Sequence, residues 1–217
     1  MKLPAAFLLW LGLAATCRCT PQAVLRNGEL EETDPANPER PLGWETPDGL
    51  GVQWVDTGDQ EHGRAVRMDT RVSEKDMVAQ WRKKGITDWN IPKPAGNAIA
   101  ATYGLSFYSE TIPVSSGQAY RVSFDFKGAG GGKVWVRAYG EIRGKKRRRY
   151  EALANCTATG EKWQRFSHVF HPTRVRPRVT EMKVMLYAFW PPGVYWFDNV
   201  RIEPITARQY EIERSRR

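Results

Sequence analysis

Trp135, Arg137, Tyr139 and Glu141 stand at alternate positions of the segment KVWVRAYGEI (Lys133–Ile142). Alternate side chains of a strand share one face. Two large rings, a guanidinium and a carboxylate therefore come to one surface, opposite the small set Val134, Val136 and Ala138. The segment Glu181–Phe189 repeats the arrangement, with Lys183, Met185, Tyr187 and Phe189 opposing Met182, Val184, Leu186 and Ala188. The aliphatic set suits a core in both. The other set suits a saccharide: apolar C–H faces stack on rings, and hydroxyls take paired hydrogen bonds from charged groups. Exposed rings also suit a protein partner, and both readings stand at this point.

RGKKRRRYE (Arg143–Glu151) carries six basic residues, Arg143, Lys145, Lys146, Arg147, Arg148 and Arg149, in a hairpin connection, with Tyr150 after them. A solvated turn is the plain reading. Contact with an acidic polysaccharide, sulfated or uronic, is the sharper one. The three histidines are His62, His168 and His171, and no nucleophile elbow, HExxH helix or phosphate-cradling loop accompanies them. Glu141 and Asp125 are the carboxylates to weigh as a glycosidase pair.

Asp198 poses a different question. In GVYWFDNVRIEP (Gly193–Pro204) it shares parity with Val194, Trp196, Val200 and Ile202. Plain alternation puts this carboxylate on a core face. There it must be paired, hydrogen-bonded or metal-bound.

The elements that position these residues are mostly strands. Candidates are Gly63–Asp69, Ala98–Tyr108, Ala119–Lys127, Lys133–Ile142, Arg147–Ala154, Trp163–Phe170, Glu181–Phe189 and Val194–Glu203. Turn signals such as SSGQ, GAGGG and WPPG separate them, which predicts an all-β, two-sheet antiparallel sandwich. Trp163 and Phe166 fall on opposite parities, which predicts a bulge between them. One short helix is expected over Ser73–Gly85, capped by Ser73 with Asp76 at the capping-box position. Residues 20–50 read as mostly irregular, and the tail ARQYEIERSRR as charged and frayed.

A length of 217 residues, 41% of them hydrophobic, suits one domain with a real core. The net charge of +9 comes without a helix-turn-helix, zinc-finger or RNA-binding signature, so it does not point to nucleic acid. Residues 1–19 have the outline of a secretory signal peptide: one Lys, an apolar run from Leu3 to Ala15, then small residues. The run is too short to span a bilayer. Secretion or residence in a periplasm or cell envelope follows, with a lipid-anchored form at Cys17 as the lesser alternative. Cys17, Cys19 and Cys156 make neither a disulfide framework nor a zinc set.

Four pieces then occur in order: NGELEE (Asn27–Glu32), IPVSSGQAYRVSFDFKG (Ile112–Gly128), EKWQRFSHVFHPT (Glu161–Thr173) and YWFDNVRIEP (Tyr195–Pro204). Together they resemble the carbohydrate-binding modules with a galactose-binding-like jelly-roll fold. The resemblance implies a jelly-roll domain over 20–205, with an insertion at about 73–97 and a tail at 206–217. It implies one sheet from the strands starting at Ala98, Lys133, Arg147 and Glu181, and a second from those at Arg64, Ala119, Trp163 and Val194. Glu141 and Asp125 then fall on different sheets, which argues against a glycosidase and for a non-catalytic module. The concave face of the first sheet would take a polysaccharide, with Trp135, Arg137, Tyr139, Glu141, Tyr187 and Phe189 as contacts and Tyr150 from the adjoining strand. The resemblance also implies a structural calcium held by Glu31 and Asp198; hydrogen bonds with no ion are the alternative.

Overall fold

Tyr120, Val122, Phe124 and Phe126 alternate with Arg121, Ser123, Asp125 and Lys127, and the alternation decides which way their strand faces. The first set is at most 2% exposed in the structure, a computed structural model that describes residues 24–87, 99–176 and 178–216. Each phenylalanine so buried contributes about 1.5–3 kcal/mol relative to exposure. Their rings meet those of neighbouring strands: Phe124 and Phe166 lie 5.9 Å apart, Phe126 and Phe197 5.2 Å.

The chain begins with a small hairpin of β1 (Thr33–Asp34) and β2 (Asn37–Pro41). Then come β3 (Val52–Asp56), β4 (Arg64–Asp69) and helix α1 (Glu74–Lys83). A wide helical turn, Ile99–Tyr103, precedes β5 (Leu105–Tyr108) and the short β6 (Ile112–Pro113). The long strands follow: β7 (Ala119–Gly128), β8 (Lys133–Ile142), β9 (Lys145–Asn155), β10 (Gln164–Phe170), β11 (Glu181–Ala188) and β12 (Val194–Ile205). Helix α2 (Ala207–Ser215) closes the chain.

Two antiparallel sheets result, in the orders β10-β7-β12-β4-β3 and β5-β11-β8-β9, with β6 beside the start of β11. The sandwich and the division of strands between its sheets are those expected. β3 is an addition, in a pairing with β4 that carries Trp54 into the core. The strand expected from Ala98 starts only at Leu105, because the residues before it coil into the turn that Gly104 ends at φ +60°.

Three further expectations change. The parity of β12 is not continuous. Tyr195 and Phe197 face the core, and so do Val200 and Ile202, all at 0% exposure. The register with β7 shifts between Asp198 and Arg201, and Asn199 adopts φ +50°. A bulge of this kind inserts one residue and switches the face. Trp196 and Asp198 therefore belong to the outer side of their sheet. The bulge expected between Trp163 and Phe166 is not there: β10 pairs with β7 in unbroken register from Gln164 to Phe170, and Trp163 lies before the strand. A second irregularity falls between β8 and β9, where Ala138 opposes Tyr150 and Tyr139 opposes Arg148, leaving Arg149 without a register partner.

The helix α1 is capped as expected, with Ser73 accepting from the Asp76 N–H at 3.2 Å and Gly85 at φ +73° beyond its end. The tail, by contrast, is a helix. Thr206 and Gln209 form a capping box at its start. Tyr210 packs on Ala119, Val169 and Ile205, and Arg121 pairs with Glu213. The proposed signal segment 1–19, with Cys17 and Cys19, lies outside the described residues, as does the later part of the insertion from residue 88. Among the described residues no helix is long and apolar enough to cross a membrane.

Candidate functional site

The outer face of the β5-β11-β8-β9 sheet is built from cross-strand rows. Tyr108, Met185, Trp135 and Leu153 are register partners on the four strands. Lys183, Arg137 and Glu151 form the next row, and Glu181, Tyr139 and Arg148 the one after. Rings and charges thus interleave across the sheet, as the alternation of β8 and β11 requires.

Arg137 ties these rows together. Its Nη1 donates to the Tyr108 hydroxyl at 2.7 Å and its Nε to Glu151 at 3.1 Å. Its guanidinium carbon lies 5.7 Å from the Trp135 ring centroid. A cation so held fixes two neighbouring rings. Glu45 joins from the loop before β3: its N–H donates to the Tyr108 carbonyl at 3.0 Å, and its carboxylate accepts from the Tyr108 N–H at 2.9 Å. Burial pushes the Glu45 carboxyl above its ordinary value, against the pull of that N–H and of Lys183 and Lys84.

A cavity of about 550 Å³ opens here, lined by Glu45, Tyr108, Tyr139, Lys146, Arg147, Arg148 and Lys183. Its walls combine two tyrosine rings with four cations and one carboxylate. Lys146 pairs with Glu181 and sits 5.8 Å from the Tyr139 ring centroid. Arg148 pairs with Glu151 at 3.0 Å. The bulge at Arg149 matters for this wall. It aligns Arg148 with Tyr139 on the outer side while Tyr150 aligns with Ala138 on the inner side.

Of the seven residues expected as sugar contacts, only Tyr139 lines the cavity, joined by Lys146, Arg147 and Arg148 of the basic run. Trp135 and Arg137 flank it through Tyr108. Glu141 is exposed near the end of β8, opposite Lys146. Tyr187 and Phe189 stack at 5.7 Å toward the other end of the sheet, with the Tyr187 hydroxyl donating to the Tyr103 carbonyl at 3.0 Å and Lys133 4.5 Å from the Phe189 ring centroid. Tyr150 is a correction: it packs against the core, where burial raises its hydroxyl pKa, and it is not on this face. Glu45 and Tyr108 were not singled out from sequence, and Lys183 was placed on the outward face but not among the contacts. Tyr108 and Lys183 carried a signal, the outward parity of their strands. Glu45 carried none, because a loop residue has no periodicity to read. Glu141 and Asp125 do lie on different sheets, in β8 and β7.

The second cluster surrounds Asp198, which is 1% exposed. Across the β7–β12 pairing it directly opposes Asp125. Asn199 bridges the two: its side-chain amide donates to Asp125 at 2.9 Å and to Asp198 at 3.2 Å, and its N–H donates to Asp198 at 2.6 Å. Arg165 reaches Asp125 at 3.1 Å, and His62 Nε2 lies 3.6 Å from it. Burial raises the Asp198 carboxyl to about 8, helped by the charges of Asp125, Glu31 and Glu29 and opposed by the Asn199 N–H. Glu31 accepts from the Arg64 N–H at 2.9 Å, beside Gly63, where any side chain would collide with it. Asp198 and Glu31 offer carboxylate oxygens, the donor type that a hard cation takes. Among the described residues no three His, Cys, Asp or Glu side chains gather to hold a metal.

No family model matches the sequence, and no curated protein matches it. Solved structures do. A "Family 16 Carbohydrate Binding Module-2" is 12% identical, with 82% of this chain and 98% of that one covered and a TM-score of 0.49. The CBM22-1 xylan-binding domain of Xyn10C from Paenibacillus barcinonensis is 11% identical, covering 87% and 97%, with a TM-score of 0.46. The enzymatically active domain of tailspike protein 4 from bacteriophage CBA120 is 13% identical over 84% of this chain and 21% of that one, with a TM-score of 0.49. The present chain is a jelly-roll β-sandwich. Its two sheets, their strand order and their antiparallel pairing state that directly.

Proposed function

We propose that this chain is a secreted, non-catalytic carbohydrate-binding module that takes an anionic polysaccharide on the concave outer face of the β5-β11-β8-β9 sheet. The observation that supports this reading most is the composition of the cavity: Tyr108 and Tyr139 beside Lys146, Arg147, Arg148 and Lys183. Rings offer stacking surfaces to pyranose C–H faces. Guanidinium and ammonium groups offer charge-assisted hydrogen bonds to carboxylate or sulfate. Arg147 and Lys183 form no ion pair among the described residues, so they meet a ligand without first breaking one. Glu45 is the single lining carboxylate, against four cations. Trp135 and Arg137 would serve as a flank that keeps Tyr108 in place, and Tyr187 and Phe189 as a further platform. A calcium ion at Glu31 and Asp198 would have a structural part, tying the N-terminal segment to β12.

The test is a binding panel of neutral, uronic and sulfated oligosaccharides, on the full chain and on Tyr139→Ala and Arg147→Ala, at low and high salt. Acidic oligomers should bind, both variants should weaken binding about tenfold or more, and high salt should weaken it further. Binding of neutral sugars only, insensitive to salt and to Arg147→Ala, would overturn the acidic ligand and leave ring stacking. No binding by any sugar would overturn the proposal and favour a protein partner for this face.

A further inference from the structure

The alternation of β7 predicts an ordinary polar outer face for the opposite sheet. The structure instead lays a row of rings and cations across it. Gln53, Arg67, Trp196 and Lys127 are register partners on β3, β4, β12 and β7. Trp163 extends the row just before β10. Strands lie about 4.8 Å apart, so five positions span roughly 19 Å.

Within this row one cation is clamped. Lys127 Nζ lies 4.9 Å from the ring centroids of both Trp163 and Trp196. Trp163 is in turn stacked on His62 at 4.1 Å, which fixes the clamp from behind. Lys127 forms no ion pair among the described residues. Two indoles hold its ammonium by attraction to their faces, but they leave N–H donors without acceptors. Its side-chain entropy is already reduced, which lowers the cost of binding an anion.

Beside the clamp is a cavity of about 420 Å³ lined by Arg67, Arg71, Lys127 and Trp196, with Gly128 and Gly160 in its wall. The two arginines share one carboxylate: Asp69 accepts from Arg67 at 3.0 Å and from Arg71 at 2.8 Å. Glu161 is the one acid in the lining. Three cations thus surround the cavity, and Gly160, where a side chain would meet nothing within 4 Å, leaves room for a group to approach the backbone.

We propose that this cavity is a second binding site, for a carboxylate or sulfate group on an anionic polysaccharide. The polymer class is shared with the reading of the first face; the site rests on its own residues. With sites on both outer faces, one chain joins two polysaccharide strands, and linked sites raise the effective affinity for a mesh of them.

The experiment is titration calorimetry of the full chain with a galacturonate oligomer and, separately, a heparin oligosaccharide. Lys127→Met keeps an apolar chain between the indoles and removes the charge. Arg71→Ala is a second variant, at an exposed side chain that no core residue needs. Two sites per chain are expected. Each of these variants should lower affinity at one site about tenfold, while Tyr139→Ala weakens the other. The oligomer that binds tells carboxylate from sulfate. Unchanged stoichiometry and affinity in both Lys127→Met and Arg71→Ala would overturn the second site and leave the first. A single site lost in these two variants and kept in Tyr139→Ala would support the second site and overturn the first. Failure of both oligomers to bind the unaltered chain would overturn both.

Discussion

Asp198 and Asp125 face each other across the β7–β12 pairing, with the side-chain amide of Asn199 donating to both. Like charges directly opposite in a sheet repel, and the buried member pays more to ionise. The proton therefore belongs to Asp198, whose carboxyl is raised to about 8. Asp125 lies 3.1 Å from Arg165 and 3.6 Å from His62 Nε2.

That arrangement sets a pH dependence. Between its ordinary value of 3.8 and about 8, Asp198 holds a proton in the folded chain and loses it in the unfolded one. The folded state binds more protons, so this group's contribution makes stability fall as pH rises through that window. The slope is about 1.4 kcal/mol per pH unit while the group alone titrates. Denaturant unfolding in chelator should show the chain weaker at pH 8 than at pH 5. Asp198→Asn keeps an acceptor for the Asn199 N–H and removes the titration, so its profile should be flatter. An equal slope in both chains would show that Asp198 does not hold this proton.

A cation at the same place would act in the opposite sense. Calcium favours the ionised carboxylate, so it competes with the proton at Asp198. Millimolar calcium should raise the Tm at pH 8 by several degrees and have little effect at pH 5. Asp198→Asn and Glu31→Gln should each remove the rise. A calcium-independent Tm at pH 8, measured by calorimetry, would leave Asp198 as a hydrogen-bonded acid with no ion.

Much of this architecture was legible in the sequence because strands with one buried face repeat every two residues. β7, β8 and β11 alternate cleanly, and their faces, partners and sheet follow. Bulges break that rule without changing composition. Asn199 gives no sign of one in sequence, so Trp196 reads as core although it faces outward. Arg149 hides among other basic residues, so Tyr150 reads as a site residue although it packs on the core. The cavity needed Glu45 and Tyr108 to meet from separate segments, a relationship no local pattern carries. The tail helix did carry a signal, since Thr206 and Gln209 have capping-box spacing, but its charge density outweighed it.

The bulge itself can be tested at Asn199. Its φ of +50° is a conformation that asparagine tolerates and most residues do not. Asn199→Gly keeps the backbone but loses the bridge between the carboxylates. Asn199→Ala loses both. The glycine variant should cost about 1–2 kcal/mol, the loss of hydrogen bonds to charged or buried groups. The alanine variant should cost about 1 kcal/mol more, from strain at positive φ. Equal losses in chemical denaturation would mean that the bridge, not the backbone, selects asparagine here.

The last helix offers a test of how far the domain extends. Thr206 accepts from the Gln209 N–H at 3.1 Å, and the Gln209 side chain accepts from the Thr206 N–H at 2.9 Å. Downstream, Glu213 pairs with Arg121 on β7, and Glu211 accepts from Arg174 at 2.7 Å. These ion pairs are partly exposed and worth little singly, so the cap and the packing of Tyr210 carry the docking. Thr206→Ala should cost about 1 kcal/mol by removing the cap. Tyr210→Ala should cost more, because it uncovers Ala119, Val169 and Ile205. Faster amide exchange in residues 207–215 of both variants, with the sheets unchanged, would show a helix that docks as a separate unit. If exchange in this segment is already fast in the unaltered chain, the helix does not dock and neither substitution should shift stability.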